Sequence, residues 1–172
     1  MTQGSGLPVL PDVLGRGLAI VFCGTAPARA SARARAYYAG PGNRFWPTLH
    51  EIGLTPRRYA PADFPRLLEH ALGLTDLAKF AVGVDRELSA ADFDAGALRE
   101  KIAACQPRWL AFTSKRAAEV YLARKAAYGV QPECLGPTQI FVLPSPSGAA
   151  RAAWDIAPWR ELVLLSGASR AR

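Results

Sequence analysis

Val21-Phe22-Cys23-Gly24-Thr25-Ala26-Pro27 is the stretch on which the rest of the chain turns. An apolar run over residues 18–23 stops at a glycine and meets a proline three residues later, the pattern of a buried strand emptying into a loop. A second turn of this kind lies near the far end, where Phe141-Val142-Leu143 runs into Pro144-Ser145-Pro146-Ser147-Gly148. In an open parallel sheet, ligands bind outside the carboxyl ends of the strands, so two such turns far apart in sequence can meet at one pocket. Between them lies Tyr37-Tyr38-Ala39-Gly40-Pro41-Gly42-Asn43-Arg44-Phe45-Trp46.

The intervening chain alternates helical and strand patterns. Asn43 as N-cap, with Pro47 tolerated in the first turn, predicts a helix over residues 44–52 that Gly53 stops. Residues 61–71 read as a second helix, and Leu74-Thr75-Asp76-Leu77 as a strand end or the turn after it. A short helical turn is expected over 89–93. Leu98, Ile102 and Cys105 fall at i, i+4 and i+7 and mark an amphipathic helix closed before Pro107. A strand follows at 109–113, and Ser114 opens a helix with Ala117, Val120 and Tyr121 on one side and Arg116, Glu119 and Arg124 on the other. Residues 126–137 read as a turn-rich loop, 139–143 as the last strand and 158–165 as a closing helix. This alternation predicts an α/β fold with a mostly parallel sheet covered on both faces.

A length of 172 residues fits one domain. The expected organisation is a disordered lead over 1–12, the folded domain over 13–166 and a frayed tail over 167–172. Cys23, Cys105 and Cys134 form no CxxC pair, and His50 and His70 stand twenty residues apart, which argues against a disulfide framework, a zinc site or an iron–sulfur cluster. No signal segment or bilayer-length apolar run is evident, so a soluble, cytoplasmic protein is expected. The net charge is +7, carried mainly by arginine, the side chain suited to bidentate phosphate contact. Arg29, Arg33, Arg35 and Arg44 cluster near the first turn, and Arg57, Arg58, Lys115, Arg116 and Arg151 follow, a distribution that favours a polyanionic partner. Neither GxGxxG nor a Walker loop is present, which makes a general nucleotide-binding enzyme the weakest candidate.

Four segments, taken together and in order, carry a resemblance: the first turn, Tyr38-Ala39-Gly40-Pro41-Gly42-Asn43-Arg44-Phe45-Trp46, Gly73-Leu74-Thr75-Asp76-Leu77, and Leu143-Pro144-Ser145-Pro146-Ser147-Gly148-Ala149-Ala150-Arg151. The series resembles the uracil-DNA glycosylase superfamily over residues 18–164, and within it the mismatch-specific uracil/thymine-DNA glycosylase branch. The resemblance implies a single-domain, three-layer αβα sandwich. It also implies a monofunctional enzyme, monomeric and without metal or cofactor, that flips a deaminated base, uracil first, out of single- or double-stranded DNA and hydrolyses its N-glycosidic bond. By the same match, Gly24, Thr25, Ala26 and Pro27 border the base, Tyr38 stacks on it and Ser145 stands where the branch commonly has asparagine. Ser147, Gly148, Ala149 and Arg151 fall where the family grips the DNA backbone and fills the gap the base leaves.

Two positions depart from the pattern. Ala149 has too little side chain to replace a stacked base, which predicts weak reading of the opposite strand and activity on single-stranded DNA. Ala26 stands where the mismatch-specific branch carries the asparagine that orients the hydrolytic water, and a methyl group forms no hydrogen bond. Catalysis must then rest on another polar group, and Asp76 is the first candidate and Asn43 the second. Two alternatives stay open. Tyr37-Tyr38-Ala39 and the missing asparagine are shared with relatives active on hypoxanthine, and Ala26 with retained basic loops also fits a non-catalytic DNA-binding module.

Overall fold

The computed structural model describes residues 6–168. Five strands form one sheet in the order β2-β1-β3-β5-β4. They are β1 (Ile20–Gly24), β2 (Leu72–Asp76), β3 (Trp109–Phe112), β4 (Gly129–Leu135) and β5 (Thr138–Val142). β1 pairs in parallel with both β2 and β3, β3 pairs in parallel with β5, and only β4 runs antiparallel. β1, β2 and β3 are buried along their whole length, as expected for parallel strands covered on both faces.

Strand alternation divides the core in two. Ile20, Phe22, Leu72, Leu74, Trp109, Ala111 and Phe141 face α2 (Phe45–Glu51) and α5 (Ala157–Ser166), which contribute Phe45, Trp46, Leu49, Trp159 and Leu162. Val21, Cys23, Leu110, Phe112, Ile140 and Val142 face α3 (Ala95–Cys105) and α4 (Lys115–Leu122), which supply Leu98, Ile102, Cys105, Ala117, Ala118 and Tyr121. The result is the αβα arrangement. α3 begins where the Asp94 side chain accepts from the Ala97 N–H, and α4 begins where Ser114 accepts from that of Ala117, at 2.8 and 3.1 Å. A short helix absent from the sequence reading, α1 (Arg29–Ala34), follows the first turn.

Three expectations are corrected. The segment over 61–71 is a 3-10 helix, Pro61–His70, because the interior Pro65 removes an α-helical donor. The loop over 126–137 contains β4, an edge strand whose register shifts between Val130 and Cys134, around Pro132. Proline at an irregular, half-exposed edge is a common way to blunt such a strand, and it also hides the strand from pattern reading.

The third correction concerns the lead over 1–12. Its last four residues are held in place: Val9 donates its N–H to the Lys79 carbonyl, Leu10 is 1% exposed and Asp12 pairs with Lys79 and Lys101. Residues 1–5 lie outside the described residues, as do 169–172 of the expected tail, while Gly167 caps α5 in a left-handed conformation and the Ala168 N–H donates to Ser166 Oγ. A Cβ at Gly73 would stand 2.6 Å from the Val13 carbonyl oxygen and 2.8 Å from Leu18 Cδ1. Gly73→Ala is therefore expected to cost about 1–3 kcal/mol, seen as a lower urea midpoint.

Candidate active site

The chain leaves β1 to build β2 on one side and returns to build β3 on the other, so the sheet's topological switch lies at the carboxyl end of β1. A cavity of about 530 Å³ opens there. Gly24 ends β1 beside Asp76, its register partner at the end of β2. A Cβ at Gly24 would lie 2.9 Å from Asp76 Oδ1, 3.6 Å from the Tyr38 hydroxyl and 3.7 Å from Thr113 Oγ1. Three polar groups from separate parts of the chain thus converge on one point, and only glycine leaves them room.

Asp76 is 5% exposed, and its Oδ2 has no hydrogen-bond partner among the described residues. Burial pushes its carboxyl up to about 7; Lys79 opposes the rise, Asp12 adds to it and Lys101 opposes it. An orphan oxygen of this kind is costly unless a ligand or water completes it. Tyr38 has a left-handed backbone (φ +53°), uncommon for a bulky residue. Its ring stacks on Phe45 at 4.0 Å between centroids, and its hydroxyl lies 3.0 Å from Thr113 Oγ1. Burial raises the Tyr38 hydroxyl well above the usual tyrosine range, so it stays neutral.

The first turn is held from outside. Thr25 donates its hydroxyl to Asp85 Oδ1 at 2.6 Å, and its carbonyl accepts from the Ala78 N–H. Ala26 and Pro27 line the cavity with Thr25. Asn43 lines it as well, although its role differs from the expected N-cap. Arg44 occupies the cap of α2, and the Asn43 carboxamide oxygen accepts from the Phe45 N–H at 2.9 Å.

The last loop closes the far wall through Ser145, Ser147, Gly148 and Ala149. It is locked to the 40–44 loop: the Arg44 N–H donates to the Pro146 carbonyl at 2.8 Å. A Cβ at Gly148 would meet the Pro41 carbonyl oxygen at 2.9 Å. Ser147 Oγ accepts from the Ala149 N–H, and Ala149 itself is exposed at the rim. Arg151 stands back from the wall, with one guanidinium nitrogen 3.6 Å from where a Gly42 Cβ would be.

Sequence reasoning missed Thr113, Ser114 and the Gly83–Arg86 wall. The strand reading ran through Thr113, so a rule that inspects every strand end would have found it. No signal pointed to residues 83–86, which fold against Pro27 and α1 only in three dimensions, through Gly83 N–H to Pro27 O and Arg29 to Glu87.

Fold and cavity together define an α/β protein with a pocket at the switch point of a mostly parallel sheet. The chain belongs to the Uracil DNA glycosylase superfamily, whose family model matches residues 11–164. Its fold is also that of a solved structure from Methanosarcina acetivorans, a protein provisionally named a uracil DNA glycosylase. The two are 24% identical with a TM-score of 0.59, over 89% of this chain and 96% of that one. Membership makes this a DNA glycosylase fold and supports DNA as the partner.

Proposed function

We propose that the protein is a monofunctional DNA glycosylase that excises a deaminated base, uracil foremost, with Asp76 as the group that positions the attacking water. One observation carries the proposal: a buried carboxylate, Asp76, that lines the cavity with Gly24 and Tyr38 and has one oxygen without a hydrogen-bond partner among the described residues. The base enters the cavity and lies on the Tyr38 ring, whose other face is backed by Phe45. Such stacking replaces what the base gives up on leaving its neighbours in the duplex.

As the C1′–N bond breaks, its electron pair leaves with the base and positive charge grows on the sugar. The Asp76 carboxylate faces that charge and accepts a hydrogen bond from the water whose oxygen bonds to C1′; the water's proton passes to the carboxylate and then to solvent. Backbone N–H groups of the 24–28 turn hold the departing base's carbonyl. Asn43 already spends its carboxamide oxygen on Phe45, so it serves through its NH2, as a donor to the base. Asp76 therefore supplies the acceptor that Ala26 lacks.

Ala149 at the rim supports a weak demand for an opposite strand. Single-turnover excision of uracil is expected on single-stranded DNA and on duplexes, with less than about tenfold preference for a mispaired guanine, a ratio worth about 1.4 kcal/mol. The check is alkaline cleavage of labelled oligonucleotides carrying uracil, thymine opposite guanine, or hypoxanthine, in both strand states. A strict requirement for mispaired guanine removes the reading of Ala149. Excision of hypoxanthine in preference to uracil shifts the substrate assignment, and no scission of any lesion favours a binding module. Tyr37, which motivates the hypoxanthine alternative, is committed through its hydroxyl to the Pro11 carbonyl and to Lys79.

A further inference from the structure

A charged cluster lies beneath the cavity, and none of the steps of base excision uses it. Lys79, three residues beyond Asp76, is 8% exposed, unusual for lysine. Its ammonium contacts Asp12 Oδ1 at 2.7 Å and donates to the Tyr37 hydroxyl at 3.1 Å. Asp12 also accepts from the Thr75 hydroxyl at 2.7 Å, and its Oδ2 is paired with Lys101 of α3 at 2.7 Å. Thr75 directly precedes Asp76 in β2, and Tyr37 lines the cavity. The cluster is thus anchored by the amino-terminal segment, β2, α3 and the loop after β2.

The charges in this cluster do not balance. Lys79 and Lys101 carry two positive charges and Asp12 one negative, which leaves one positive charge in excess beneath the cavity. Asp76 is the carboxylate beside it, and when ionised it brings the sum to zero. Lys79 and Asp76 are the buried members of the set, Asp12 and Lys101 being partly exposed, and a buried charge is stable only when paired, so the excess favours the charged form of the neighbouring acid.

We propose that Lys79 is a positioning residue that acts through Asp76: held by Asp12 and Tyr37, it supplies the unbalanced positive charge that keeps the Asp76 carboxylate ionised in the cavity. The inference rests on the proposed role of Asp76. Around that carboxylate the ionisable groups are Lys79, Asp12 and Lys101, with Tyr37, Tyr38 and the Cys23 thiol, each of which burial holds neutral. The two lysines are therefore the cations that oppose the cost of burying the charge. Asp12, kept below the usual carboxylate range by its lysine and threonine partners against the effect of burial, remains ionised and holds Lys79 in place.

The test reads Asp76 directly. In protein labelled with ¹³C at the aspartate carboxyls, the Asp76 resonance is assigned by its loss in Asp76→Asn and followed against pH in the parent and in Lys79→Met. The midpoint is expected to rise by at least about one unit in Lys79→Met, a tenfold change in ionisation equilibrium. It should be restored by Lys79→Arg. Lys101→Met, at a half-exposed position, should shift it the same way by less and serves if Lys79→Met does not fold. An unchanged midpoint in the folded variants overturns the proposal, even if excision falls. Full excision by Asp76→Asn instead removes the role of Asp76, a separate outcome from the titration.

Discussion

Asp76→Asn is expected to lower single-turnover uracil excision by about a hundred- to ten-thousand-fold, the range for loss of a positioned acid–base group. Affinity for uracil-containing DNA should stay within a few-fold, because stacking and backbone contacts remain. The parent's rate should climb with pH through about 7 and level off above it, since the carboxyl is held near that value by burial and only its ionised form accepts from water. That limb should be absent in the variant. The same shift sets a stability relation of opposite sense. The folded chain holds the Asp76 proton more tightly than the unfolded chain, so stability falls as pH rises from about 4 to about 7, and the loss is complete above that. Thermal melts at pH 5 and pH 8 should therefore show Asp76→Asn gaining on the parent at the higher pH. Equal activity of variant and parent across pH would remove the water-positioning role from Asp76.

Trp159→Ala is expected to cost about 3–5 kcal/mol of folding stability. Trp159 is fully buried on α5, stacks against Phe22 of β1 and meets Phe45 and Trp154 edge-on or tilted. Its indole N–H donates to the Pro144 carbonyl at 3.2 Å, at the start of the last loop. Removing the ring opens a cavity between sheet and helices and frees the backbone that aims Ser145 to Ala149. For a domain of this size the melting point should fall by roughly 10 °C or more, read by calorimetry. DNA affinity of the fraction still folded should also weaken. A loss of stability under about 1 kcal/mol would mean that neighbouring rings collapse into the space.

These two residues also mark where sequence reading succeeded and where it stopped. β1 and β3 were legible because strands buried on both faces are continuous apolar runs, β5 through its Ile140-Phe141-Val142 stretch, and Asp76 through the resemblance carried by Gly73-Leu74-Thr75-Asp76-Leu77. β4 was not, since an edge strand broken by Pro132 has neither an apolar run nor clean alternation. The packing of residues 9–12 was hidden by composition: the glycines and prolines of the lead over 1–12 suggest a loose end, and Leu10 is the buried residue among its described ones. Lys79 was hidden for a chemical reason. A lysine in sequence reads as solvated, and its burial follows from Asp12 and Tyr37, distant residues that the fold brings to it. The candidate site was therefore legible as a set of strand ends and loops, while the charges governing it belong to tertiary structure.

The lock between the 40–44 loop and the last loop bears on how the protein meets DNA. Because Gly148 rests on the Pro41 carbonyl and the Arg44 N–H is bonded to Pro146, the two walls are joined before any ligand arrives. In the proposed reaction little chain entropy is left to lose on association, and the free energy of docking would go to deforming the nucleic acid instead of ordering the protein. Lesions that already unstack or mispair lower that deformation cost. Discrimination among them would then follow how easily each leaves the helix as much as any contact made with its edge.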